Sequence, residues 1–231
     1  MEISSQEAAS RLGVGQRRVR RLVESGDLRG HQLAGVWHVN AGDVAQRKTF
    51  SPKQGRPWSQ RVAWGGLWLL SGLTPDWLGG TELWRLRKRF SELDPDALTL
   101  AVRRRARVEY CRILPTYLDA VINERGAVRG GLSAAATAGA DIIGVDLAEL
   151  YCDAETRGKL FDRFAITAST DRPNLIVRTV ESPELTRQLL AGRSEMPTAA
   201  VAVDLIESAD SRTRHAGAEL AARLLIEFNH G

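Results

Sequence analysis

The stretch "GVGQRRVRRLVESGDL", Gly13–Leu28, sets four arginines within five residues, interrupted only by Val19. The pattern predicts a helix from Gln16 to Ser25, with Gly26 as its stop. At about 100° per residue, Val19, Leu22 and Val23 fall on one face and must pack inward. Arg17, Arg20, Arg21 and Glu24 fall on the opposite face, and Arg18 on a flank. An arginine-covered outer face suits a DNA major groove, where a guanidinium reaches guanine O6 and N7 together or neutralises phosphates. Arginine's planar fork serves that better than lysine's point charge. Arginine supplies 28 of the 32 basic residues, so a merely solvated helix is the alternative, and the neighbouring elements decide.

Upstream, Ser4-Ser5-Gln6-Glu7 fits a capping box. Ala8, Ala9 and Leu12 then form a short apolar stripe, and Gly13 ends that helix. Two short helices around a glycine-containing turn make a helix-turn-helix pattern. Downstream, Leu28–Leu33 and Val36–Val39 read as strands of a hairpin about Ala34-Gly35, followed by a helix capped by Asn40. Residues 3–47 resemble the winged helix-turn-helix of excisionases and MerR-type regulators: a short helix, "LGV", a recognition helix of the "VRRLVESGDL" type, then a hairpin with a central Trp. In that resemblance Trp37 anchors the wing to the helices. The wing tip, "LAGV", lacks the arginines common there. Binding is therefore expected to rest on Gln16, Arg17, Arg18, Arg20 and Arg21, and on the segment that follows.

Charge is distributed unevenly. Residues 1–60 carry ten Lys/Arg against five Asp/Glu, residues 61–125 eleven against eight, and residues 126–231 eleven against fifteen. A basic front half suggests a polyanionic partner. The composition, 43% hydrophobic and 26% charged, is that of a globular chain. No leader-like or membrane-spanning apolar run is visible, so a cytoplasmic protein is expected. Cys111 and Cys152 stand far apart without ligand neighbours, and the four histidines have no metal spacing. No cofactor is expected.

"RKTFSPKQGRPWSQR", Arg47–Arg61, marks a linker at 48–58. Arg47, Lys48, Lys53 and Arg56 are its candidates for phosphate contact, and Gly55-Arg56-Pro57 partly resembles the minor-groove core of an AT-hook. Five of six tryptophans (Trp58, Trp64, Trp68, Trp77 and Trp84) follow closely. They are expected to fill the core of a helical segment at 59–125; stacking of single-stranded bases is the alternative. One helix should end at Leu70–Ser71 and another run from a Thr81 cap through Phe90. The basic clusters "RLRKRF" and Arg103–Arg107 are candidate auxiliary DNA contacts.

Residues 126–231 read as a small α/β domain. From Leu114 on, helices are expected at Pro115–Glu124, Ser133–Gly139, Ala154–Phe164, Pro183–Ala191, Ala199–Glu207 and Ser211–Phe228. A hairpin is expected from Phe164–Ser169 and Leu175–Val180. Asp210 should cap the last helix, whose Leu220, Leu224, Leu225 and Phe228 could be core or a homodimer seam. "GGLSAAATAGADIIGVD" has the outline of a nucleotidyltransferase Gly-Ser loop, but Asp141 and Asp146 lack the Asp-x-Asp spacing of two-metal chemistry. Asp204 and Glu207 read as a solvated acidic edge.

Three stretches, "GRPWSQRVAW", "GLSAAATAGADI" and "AVAVDLIESADSRTRHAGAELAARLL", are similar to AbiEi-like antitoxins of type IV toxin–antitoxin systems. The resemblance implies a winged N-terminal domain that represses its own operon and a C-terminal region that counters a nucleotidyltransferase-like toxin. The expectation is thus a mainly helical α+β protein, a non-catalytic regulator of double-stranded DNA. An excisionase-like architectural factor and a nucleotidyltransferase-like enzyme are the alternatives.

Overall fold

In the computed structural model, which describes residues 2–33, 35–49, 57–142, 146–169 and 171–230, the chain is α+β and forms two compact units, Met1–Gly55 and Arg56–Gly231.

In the first unit, Ser4 Oγ accepts the Glu7 backbone N–H at 3.1 Å and opens helix α1 (Ser5–Leu12). The other half of the expected capping box is absent: the Glu7 carboxylate turns outward to Arg11, one helical turn on, at 2.5 Å. Gly13 closes α1 at φ +66°, in the left-handed region that glycine enters without a steric penalty. Helix α2 (Gln16–Glu24) follows, then strands β2 (Gly30–Leu33) and β3 (Val36–Asn40) and helix α3 (Ala41–Thr49). Asn40 Oδ1 accepts the N–H groups of Gly42 and Asp43 and caps α3. A strand not expected from the sequence, β1 (Glu2–Ser4), pairs antiparallel with β3, so the sheet order is β1-β3-β2. Ile3, Ala8, Ala9, Val19, Leu22, Leu28, Val39, Ala41 and Val44 form the core, while Trp37 is only half-buried. The hairpin is tied to α3 by Arg29, whose backbone N–H and guanidinium both donate to the Asp43 carboxylate.

The second unit wraps helices about a five-stranded sheet of order β5-β6-β8-β4-β7. Helices α4 (Gln60–Leu70), α5 (Gly80–Phe90) and α6 (Pro95–Val102) precede strand β4 (Arg107–Arg112). A 3-10 turn at Pro115–Tyr117 and helix α7 (Leu118–Ile122) replace the single helix expected at 115–124. Strand β5 (Val128–Arg129) leads into a 3-10 turn at Gly131–Ala134, not the helix expected at 133–139. Then come β6 (Ala148–Asp153), α8 (Ala154–Arg163), β7 (Thr167–Ala168), β8 (Leu175–Val180), α9 (Pro183–Leu190), α10 (Thr198–Ile206) and α11 (Ser211–His230). The expected hairpin between 164–169 and 175–180 does not form. β7 and β8 both pair with β4, which lies between them, and β8 pairs in parallel with β6 on its other side.

Both sheet faces are covered. Leu150, Cys152, Leu175 and Val177 meet Val121 and Leu160, from α7 and α8. Tyr151 and Val180 face the larger core, which holds Trp58, Trp64, Trp68, Trp77 and Leu220. The Trp-rich helices and the residues beyond 126 therefore share one core. The core-facing side of α11 is likewise occupied within the chain, with Leu220 and Leu225 buried and Leu224 and Phe228 packed beside them. Helix α5 is capped two residues earlier than expected, by Gly79 and not Thr81, the Gly79 N–H being held by Glu82.

Candidate nucleic-acid interface

Helix α2 is held from behind. Val19 and Leu22 are buried, Val23 packs beside them, and Leu28 N–H donates to Leu22 O at 2.9 Å, tying the following turn to the helix. That fixes its other side, on which Gln16, Arg17, Arg18, Arg20 and Arg21 are all exposed. Among the described residues, none of the four arginines is in an ion pair. Glu24 is the helix's one acidic residue and lies outside its first turn. The helix opens on Gly15, which places no side chain over the first N–H groups. Its N-terminal half therefore combines a positive dipole end with uncompensated guanidinium charge.

Arg47 and Lys48 fall within α3, and Lys53 and Arg56 lie outside the described residues. At the hairpin end, Leu33 and Val36 are register partners and largely exposed, so this end presents apolar rather than cationic groups.

The second unit contains a buried polar cluster that no spacing in the sequence indicates. Arg105, expected on a basic surface, is instead 1% exposed. Its Nη2 donates to Asp204 Oδ1 at 2.7 Å and to Glu207 Oε2 at 2.6 Å, and its Nε to Tyr151 Oη at 3.0 Å. Tyr151 O–H donates to the same Asp204 oxygen at 2.7 Å. Arg178 pairs with Glu149 at 2.5 Å, and its Nε lies 3.2 Å from Asp204 Oδ1. Asp204 is therefore not part of a solvated edge; only Glu207 reaches the surface. Burial works against charge on Arg178, but the carboxylates of Asp204 and Glu149 outweigh it and raise its pKa. Burial likewise pushes the Glu149 carboxyl above its ordinary value, opposed by Arg178.

The Gly-Ser loop serves this cluster. Gly131 N–H donates to Asp204 Oδ2 at 3.0 Å and Leu132 N–H to Glu149 Oε1 at 3.1 Å, while Ser133 Oγ accepts the Glu149 N–H at 2.8 Å. Two of the loop's backbone N–H donors, those of Gly131 and Leu132, are thus engaged by the chain's own carboxylates. Asp141 and Asp146 are exposed, and among the described residues no group of three His, Cys, Asp or Glu side chains could hold a metal ion. Nor is any described helix long and apolar enough to cross a membrane. No protein-family model, curated protein or solved structure matches the chain.

Proposed function

We propose that the chain is a sequence-specific, double-stranded-DNA-binding regulator. Residues 1–47 act as a winged helix-turn-helix, with α2 as recognition helix and the β2–β3 hairpin as wing. One observation carries the reading: Arg17, Arg18, Arg20 and Arg21 are all exposed and without ion pairs among the described residues, on a helix locked from behind by Val19 and Leu22. Four cations on so short a helix repel one another, and a polyanion relieves that repulsion. Arg17, Arg20 and Arg21 read bases, supported by Gln16 and Arg18. Arg47, Lys48, Lys53 and Arg56 follow phosphates or the minor groove. The apolar hairpin end adds little phosphate contact.

The similarity to AbiEi-like antitoxins extends the proposal to a cytoplasmic autorepressor whose second unit counters a nucleotidyltransferase-like toxin. Engagement of the Gly-Ser loop by Asp204 and Glu149 weighs against nucleotidyl transfer by this chain itself.

The test is fluorescence anisotropy of the full chain on its own upstream DNA beside a scrambled duplex, between about 50 and 300 mM salt. Preference for the upstream duplex by roughly a thousandfold, persisting at the higher salt, is the expected result. Equal binding to both, erased by salt, would mean that the arginines contribute charge alone.

A further inference from the structure

We infer that the outer face of α5 is a separate nucleic-acid surface that takes single strands, stacking an unpaired base on Trp84. Four tryptophans, Trp58, Trp64, Trp68 and Trp77, are buried, whereas Trp84 is 62% exposed. Lys88, one turn on, places its ammonium 5.7 Å from the indole centroid. Arg85 and Arg87 flank the pair, exposed and without ion pairs among the described residues. Arg89, also exposed, lies against the buried Trp58 ring. Glu82, the one acidic residue of α5, is bound to Arg61 and also feels the charge of Arg85.

The dipole of α5 favours cations in its last turn, but it does not call for an exposed indole a turn earlier. The neighbours of Trp84 on this face, Thr81, Arg85 and Lys88, are polar or cationic, which complements phosphates better than an apolar protein surface. A duplex keeps its bases stacked and offers the indole nothing to stack on, whereas a single strand offers both phosphate charge and a free base face. The inference is independent of the reading of α2.

The experiment titrates the full chain into labelled oligothymidine of about twenty nucleotides and, separately, into a duplex of equal length. Trp84→Ala should weaken oligothymidine binding about tenfold or more, Trp84→Phe should retain most of it, and neither should change duplex affinity. The pair Arg85→Ala and Lys88→Ala should raise the single-strand dissociation constant and flatten its salt dependence. Arg17→Ala with Arg21→Ala should do the reverse of Trp84→Ala, reducing duplex binding only. Absence of oligothymidine binding, indifference to Trp84→Ala, or equal losses on both nucleic acids would overturn the inference. So would equally tight, Trp84-dependent capture of polyglutamate, which would make this a surface for an acidic protein.

Discussion

Nη2 of Arg105 lies 2.7 Å from Oδ1 of Asp204, ninety-nine residues further along the chain, and neither side chain is more than 1% exposed. The pair joins the turn after α6 to the last turn of α10. Through Tyr151 and Arg178 it also reaches two neighbouring strands of the sheet. The Arg105 backbone is engaged as well, its carbonyl accepting from Trp64 Nε1 at 2.8 Å and from Gln60 Nε2 at 2.9 Å. One residue thus links the Trp-rich helices to the sheet.

Removing Asp204 should therefore be severe. Asp204→Ala strips an acceptor from Arg105, Tyr151 and the Gly131 N–H and leaves two buried guanidinium groups under-compensated, a loss of about 3–5 kcal/mol. Glu207→Gln, at the partly exposed end of the cluster, should cost clearly less. Urea unfolding at neutral pH measures both, and an Asp204→Ala loss below about 1 kcal/mol would contradict the role given to this carboxylate.

Two glycines should respond in opposite ways to the same change. Gly131 sits at φ +46°, and a Cβ there would meet the Glu149 carboxyl at 2.3–2.4 Å. Gly131→Ala combines backbone strain with displacement of a buried charge and should cost more than about 2 kcal/mol. Gly80, at the start of α5, has open space where its Cβ would be. Gly80→Ala should be neutral or stabilising by up to about 1 kcal/mol. Thermal melts of the two variants side by side provide the comparison, and similar losses for both would count against the packing described.

These contrasts also explain what could be read in advance. The first unit is built from local signals: Ser4 and Asn40 caps, the left-handed Gly13, and Val19 with Leu22 at helical spacing. The α2 arginines were legible because their exposure follows from that spacing alone. Strand β1 leaves no periodic signal because it is three residues long and only Ile3 is buried. Strand β6, "AELYCD", alternates apolar and polar residues as a half-solvated strand does, yet it is buried from Ala148 to Cys152, so nothing in its pattern reveals that Glu149 and Tyr151 face protein. Nothing near Arg105 or Asp204 in sequence reveals the other. Buried charge becomes visible only when a long-range partner is known, and the same holds for β4 coming between β7 and β8.

Because the α2 arginines are exposed, their removal should separate binding from folding. Arg17→Ala or Arg21→Ala should weaken the specific site by about 1–3 kcal/mol, while the unfolding free energy stays within about 0.5 kcal/mol of the parent. Lys53→Ala should weaken all sequences alike and reduce the salt slope by about one. Anisotropy on matched and scrambled duplexes distinguishes the two patterns; uniform losses for every variant would remove the division between base-reading and phosphate-following residues.

The two thiols predict how stability changes in alkali. Cys111 on β4 and Cys152 on β6 are both buried and unpaired, and burial pushes each thiol up to about 12 from an ordinary 9.0. The native state then holds protons that the unfolded chain releases, so this contribution is complete below about pH 9 and is lost as the pH rises toward 12. Each thiol should steepen the decline by about 1.4 kcal/mol per pH unit across that window. Cys152→Ala should begin less stable at pH 8, because it leaves a small void, yet decline less steeply, so the two curves converge as the pH rises. Tyr151, also raised by burial, adds equally to both and cancels from the difference. Urea unfolding at several pH values through the window decides the matter: parallel curves would mean that the Cys152 thiol ionises as freely in the fold as in the unfolded chain.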